Sequence, residues 1–274
     1  MDIKDIRLDL DEYFPVDFKK STIYLHHTAG SYRPDYVAQA WNRDKYADGS
    51  TKRIATAFII GGKGKNNDAA WDGIVVRCFP ESQWAWHLGA KGTNGMFDKI
   101  SIGIEICNYG QLSKSKTGQF MTYVNTPLPE DQVAELKTPF RGFKYYHKYT
   151  DSQLDSLREL LIYLGTKYGI NLKMGLQEWI NKENLIMPNN LSVLQQQKWL
   201  NLNGFVGKNG KRLSEDGAWG ANSAFAVNMV GKSAFEYNPL TMMGYGGIWS
   251  HSNIRLDKND VCPQPNLISM IKSL

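Results

Sequence analysis

The chain contains five histidines, at positions 26, 27, 87, 147 and 251. A lone histidine is most often a satisfied polar residue, so each must be weighed by its company. His26 ends the apolar run Ile23-Tyr-Leu and is followed directly by His27 and Thr28. His251 follows Gly-Gly-Ile-Trp-Ser, another short apolar run into a turn, and beyond it stand Asp260 and Cys262. Two histidines with an aspartate or a cysteine, all at strand ends, form the donor set of a catalytic zinc site whose fourth position stays open. Glu105 lies in the apolar run from Ile100 to Cys107. A carboxylate there is costly to bury unless something uses it.

The elements that must hold these residues alternate between strand and helix, which predicts an α/β domain. Residues 21–30 read as a buried strand entering a polar turn, and 34–45 as a helix with Val37, Ala40 and Trp41 on one face. Further strands are expected at 55–60, after the Asp72-Gly73 turn, and at 100–107. Thr150-Asp-Ser-Gln153 is a capping-box pattern, and Leu154, Leu157, Leu160, Leu161, Leu164 and Tyr168 then keep helical spacing up to Gly169. Residues 110–149, with three prolines and many aromatics, read as an ordered excursion. His147 reads as a surface or aromatic-packing residue, Trp84 and Trp86 as either core or groove tryptophans, and Asp257 as a solvated turn residue.

Composition bounds the possibilities. Of 274 residues, 42% are apolar and 22% charged, which excludes a disordered tail, a collagen-like fibre and a polytopic membrane protein. No run approaches the roughly 18–20 apolar residues needed to span a bilayer, so no membrane insertion is expected. The first residues alternate charge with aliphatic side chains and lack a secretory pattern. Synthesis in the cytoplasm is therefore expected. Cys78, Cys107 and Cys262 are too few and scattered for a disulfide framework, and the first two read as small buried hydrophobes. The net charge of +5 suits an anionic surface such as a bacterial wall. It forms no basic stripe of the kind that marks nucleic-acid binding.

Four segments, taken together, resemble a known family. Ile23 to Gly30, Trp84-Ala-Trp-His87-Leu-Gly89, Ser101-Ile-Gly-Ile-Glu105 and His251 to Pro265 are similar to the zinc-dependent N-acetylmuramoyl-L-alanine amidases of the type 2 family. That family includes phage endolysins and peptidoglycan recognition proteins. The resemblance spans about residues 20–170 and 244–274, and implies a mixed central β-sheet flanked by helices. It implies Zn²⁺ as cofactor, with His26 and His251 as ligands and His27 as a non-ligand. Glu105 matches the acid that activates the attacking water, and Lys258 the lysine that stabilises the oxyanion. Trp86 and His87 match the wall of the glycan–peptide groove; Thr28 and Asn108 are further candidates for substrate contact. The third ligand has two candidates. A lysine two residues before the ligand selects Asp260, whereas a proline directly after it selects Cys262; the spacing favours Asp260. The tyrosine that some phage members carry in the second strand is absent from Ala55-Thr-Ala-Phe58, so its role falls to Glu105.

Residues 175–235 differ in character. A Gln- and Leu-bearing segment from Leu191, the turn Asp216-Gly-Ala-Trp-Gly220 and the run Ala224 to Met229 resemble the small three-helix peptidoglycan-binding modules. The expected layout is a discontinuous catalytic domain, 1–174 and 236–274, interrupted by an all-α insertion. The expected partner is bacterial peptidoglycan, with the enzyme reaching the wall by phage lysis or contractile-injection machinery. The competing function is a binding-only recognition protein on the same fold. Such members characteristically lack a zinc ligand, and here the third ligand has two candidates.

Overall fold

The computed structural model describes residues 2–274. In chain order its elements are β1 (Ile3–Asp5), β2 (Thr22–His27), α1 (Pro34–Arg43), β3 (Phe58–Ile60), β4 (Val75–Arg77), α2 (Met96–Ile100) and β5 (Ser101–Ile106). There follow β6 (Gln111–Lys114), β7 (Phe120–Met121), β8 (Pro127–Leu128), β9 (Val133–Phe140) and β10 (Phe143–His147). Then come α3 (Asp151–Tyr168), α4 (Leu176–Lys182), α5 (Val193–Leu202), α6 (Ala221–Asn228), β11 (Gly247–Ser250), α7 (His251–Ile254) and α8 (Pro265–Lys272).

The main sheet has the order β1-β4-β3-β5-β2-β11. Strands β3, β5, β2 and β11 run parallel to one another, and β4 is antiparallel to β3. Every residue of β2 and β5 is buried, as expected of parallel strands covered on both faces. Helix α3 supplies much of that cover through Leu154, Leu157, Leu160, Leu161 and Leu164, all 5% exposed or less. Its start and stop follow the sequence. Thr150 and Gln153 form the reciprocal capping box, and Gly169 closes the helix in the left-handed conformation.

The excursion at 110–149 is a second, antiparallel sheet of order β8-β7-β6-β10-β9. Leu112, Phe120 and Leu128 form a small core of its own. The start of its central strand β6 braces the turn that carries Asp260, because Asn259 Nδ2 donates to Gln111 Oε1 at 2.9 Å.

The expected 175–235 insertion covers helices α4, α5 and α6. Helix α4 packs on the main sheet: Gly175 bridges to Ile248, and Leu176, Trp179 and Ile180 are buried in a core that also takes in Leu200, Phe205 and Ala226 of the α5–α6 region. Helices α5 and α6 are joined through Gln197, which is 2% exposed. Its amide donates to Asp216 and to the Ala218 carbonyl and accepts from Gly217 N, all at 2.9 Å, so it holds the glycine-bearing turn in place. Phe205 connects this unit to α4 through edge-on contact with Trp179.

The junction before α4 is intolerant of side chains. Gly175 has φ +78°, and a Cβ there would lie 2.1 Å from the Ile248 carbonyl oxygen. Gly49 has a similar φ of +82° with open space around it. In denaturant titrations Gly49→Ala should cost about 1–2 kcal/mol from backbone strain alone. Gly175→Ala should cost at least about 3 kcal/mol, because overlap adds to strain. Equal losses at the two positions would contradict this packing.

Candidate active site and metal centre

Register places the chemistry. In the β2–β5 pair, His26 stands opposite Glu105; in the β11–β2 pair, Ser250 stands opposite Leu25, which brings His251 level with His26. The carboxyl ends of three parallel strands therefore deliver His26, Glu105 and His251 to one edge of the sheet, where open α/β sheets commonly bind ligands. Alternation along a strand separates the two adjacent histidines. His26 faces His251, while His27 turns to the Tyr149 hydroxyl, 3.0 Å from its Nδ1.

His26 Nδ1 lies 3.0 Å from His251 Nδ1 and 3.4 Å from Asp260 Oδ2. His251 Nδ1 lies 3.0 Å from the same carboxylate oxygen. Three atoms bonded tetrahedrally to one zinc at about 2.0–2.1 Å would be separated by roughly 3.3 Å. The donor set and its spacing thus fit a zinc ion, and among the described residues this is the group that could hold a metal. The charges agree. Burial, followed by His251, lowers His26 to about 4 and keeps it neutral. Burial pushes Asp260 up, but the surrounding His251 and His26 outweigh it and hold the carboxyl well below the usual range. Neutral imidazoles with an ionised carboxylate are the ligand forms a metal requires.

Cys262, the alternative third ligand, faces elsewhere. Its sulfur accepts from Gln264 Nε2 at 3.2 Å and lies 3.8 Å from the Tyr149 hydroxyl. Burial pushes its thiol up to about 12, so it stays protonated. Glu105 is 9% exposed and borders a cavity of about 300 Å³ together with Thr28, Ser31, Tyr36 and Trp41. Among the described residues nothing hydrogen-bonds its carboxylate, and burial, then Asp260, raises it well above the usual range. Lys258 is half-buried without a salt-bridge partner among the described residues, and its charge reaches both His26 and Glu105.

Three groove residues from the sequence reading are placed otherwise. Asn108 is fully buried, with Nδ2 donating to the His147 carbonyl and Oδ1 accepting from Gly110 N, so it exposes no atom to a substrate. Trp86 packs edge-on against Phe14 and Trp84 in an aromatic cluster and does not line the cavity beside Glu105. His87 is half-buried, with Nδ1 3.0 Å from His26 Nε2 and Nε2 2.9 Å from Ser101 Oγ, so both polar atoms are engaged. Thr28 does line the cavity. His147 is buried rather than on the surface, accepting from Tyr109 N and packing on its ring. Sequence reasoning missed Asp98, which is 1% exposed and accepts from the backbone N–H of both His87 and Leu88 at 2.9 Å. Its only signal was an acid within the short run Met96-Phe-Asp-Lys-Ile100.

The architecture and this constellation define a mixed α/β fold with a buried donor set suited to zinc. The family model described as N-acetylmuramoyl-L-alanine amidase matches residues 18–182, and the chain belongs to that family. Among solved structures, the chain is similar to PlyL (14% identity, 63% of this chain and 78% of that one, TM-score 0.38). It is also similar to LysC of Clostridium intestinale (18% identity, 62% and 78% coverage, TM-score 0.34). A third similarity is to the amidase AmiD of E. coli (18% identity, 69% and 59% coverage, TM-score 0.34). Comparison with curated protein sequences gives no match.

The buried carboxyl of Glu105 has a stability consequence. Its folded pKa is raised, so wild type loses stability as pH rises from the unfolded carboxylate value through the folded one. Glu105→Gln removes that loss. In chelator-treated protein the variant should melt about 2–4 °C higher near pH 8, on the order of 1 kcal/mol, with the gain shrinking towards pH 4. A variant no more stable than wild type at pH 8 would show that the carboxylate is well solvated.

Proposed function

We propose that this chain is a zinc-dependent peptidoglycan amidase that hydrolyses the amide between N-acetylmuramic acid and L-alanine. The observation that carries the reading is the convergence of three donor atoms, His26 Nδ1, His251 Nδ1 and Asp260 Oδ2, within 3.4 Å of one another on the sheet edge that also presents Glu105. These three side chains would hold the ion, and zinc when bound supplies a Lewis acid that polarises the scissile carbonyl and acidifies water. The Glu105 carboxylate, which borders the cavity, takes the proton of the attacking water and returns it to the departing alanine nitrogen. Its raised pKa suits both halves of that transfer. The Lys258 ammonium, without a salt-bridge partner among the described residues and close enough to act on Glu105, would stabilise the negative charge that develops on the carbonyl oxygen. An unpartnered buried carboxylate beside the donor set favours this over a binding-only role, which has no use for a costly base.

The α5–α6 unit would hold the enzyme to the wall. Its Gln197-braced turn presents Trp219, 52% exposed, an amphipathic indole suited to a sugar face. Trp219→Ala should weaken retention on intact sacculi several-fold and leave hydrolysis of small muropeptides unchanged. Loss of both activities would assign this turn to folding instead.

Digestion of purified sacculi followed by mass spectrometry tests the reaction: free L-alanine amino termini should appear without new reducing sugar ends. Asp260→Ala and His251→Ala should lose zinc by elemental analysis, while Cys262→Ser keeps most of it. Glu105→Gln and Lys258→Ala should retain zinc but lower kcat by about 10²–10⁴-fold and about 10²–10³-fold. Zinc lost from Cys262→Ser but kept by Asp260→Ala would overturn the ligand set, and wild-type kcat in Glu105→Gln would overturn the base.

A further inference from the structure

Each metal-facing histidine has two ring nitrogens and, when neutral, one proton. Which nitrogen carries it decides whether the lone pair or a hydrogen points at the ion. For His26 the neighbours fix the answer. The Ser101 hydroxyl is 2.6 Å from the Phe97 carbonyl oxygen, which can only accept, so the single hydroxyl hydrogen goes there. Ser101 Oγ then serves as acceptor for His87 Nε2, 2.9 Å away, and that nitrogen carries the His87 proton. His87 Nδ1 is left with a lone pair, which accepts from His26 Nε2 at 3.0 Å. His26 Nδ1 is therefore bare on the side of His251 and Asp260. For His251 the argument is shorter: its Nε2 lies 2.9 Å from the Leu88 carbonyl oxygen, so Nε2 donates and Nδ1 is bare.

Both answers come from two consecutive residues, His87 through its ring and Leu88 through its carbonyl. The segment is held at both backbone N–H groups by the buried Asp98 carboxylate, 2.9 Å from each. Strand β5 makes room for the ring: a Cβ on Gly103 would stand 3.0 Å from His87 Nδ1 and 2.8 Å from Thr56 Cγ2. A small residue in mid-strand is otherwise a weakness, and here the space it leaves is occupied by His87.

We propose that the 87–88 segment, clamped by Asp98, is the device that sets the proton positions of both metal-facing histidines, with His87 and Ser101 acting as positioning residues for His26. The chain of bonds runs one way, from His26 through His87 and Ser101 to the Phe97 carbonyl. Reversing it would put a proton on His26 Nδ1, inside the metal site, and would withdraw the donor from Phe97. Outer partners of this kind typically change metal affinity by about 10–100-fold when removed. The proposal rests on His26, His251 and Asp260 being the ligands.

Zinc affinity of the full chain, measured by chelator competition, tests it without reference to turnover. Ser101→Ala and His87→Phe should each weaken zinc binding by about 10–100-fold. Ser101→Thr, which keeps the hydroxyl, should stay near wild type, and His87→Asn, whose Oδ1 can accept from His26, should recover most of the loss. Long-range ¹H–¹⁵N spectra of the histidine-labelled, zinc-loaded chain should show the His26 proton on Nε2. Wild-type affinity in both Ser101→Ala and His87→Phe overturns the proposal while leaving the ligand set intact; a His26 proton on Nδ1 overturns the proposal and the Nδ1 donor assignment with it. Should His87→Phe fail to fold, the Ser101 pair and the wild-type spectrum still decide. A wild-type chain that binds no zinc would instead bring down the ligand reading on which the proposal stands.

Discussion

The parallel register of β11, β2 and β5 is the constraint on which the rest depends. Because Ser250 pairs with Leu25 and His26 with Glu105, the three strands finish together, and their next residues converge on one point. A slip of one residue in β2 would exchange His26 for His27 and turn the metal-facing ring towards Tyr149. The register is strongly specified, since both faces of β2 and β5 are buried and any slip would misplace every apolar side chain.

Around that sheet edge, two unrelated parts of the chain serve as braces. The loop after α7 brings Asp260 back to His251, with Ser252 N donating to the Asp260 carbonyl at 2.9 Å. The second sheet holds the same loop from outside through the Gln111–Asn259 bond. Gln264 pins its far end, donating to the His147 carbonyl and accepting from Tyr149 N. The excursion at 110–149 thus has a positional role. It fixes a turn that would otherwise have few backbone partners, and with it the distance between Lys258 and the ligands.

Much of this was legible in the sequence. The histidines at strand ends, the lone acid at 105 and the capping box of α3 each followed from local chemistry, and of the two candidates for third ligand Asp260 is the one grouped with the histidines. What was not legible depended on long-range placement. Asn108 was a candidate for substrate contact, but it is fully buried and both ends of its side chain bond to partners 2 and 39 residues away. Trp86 and His87 belong to a motif that resembles a groove wall, yet the indole joins Phe14 and the imidazole joins His26, contacts that no spacing rule encodes. Helix α4 packs on β11 and α8, contacts that no local signal in the sequence announced.

The central claim is that His26 Nδ1, His251 Nδ1 and an Asp260 carboxylate oxygen together bind one zinc ion. Anomalous diffraction from crystals of the zinc-loaded protein, recorded on either side of the zinc edge, tests it most directly. The account predicts a single strong peak about 2.0–2.2 Å from His26 Nδ1, His251 Nδ1 and an Asp260 carboxylate oxygen. A peak bonded to Cys262 Sγ, or to the Nε2 atoms of these histidines, would contradict it.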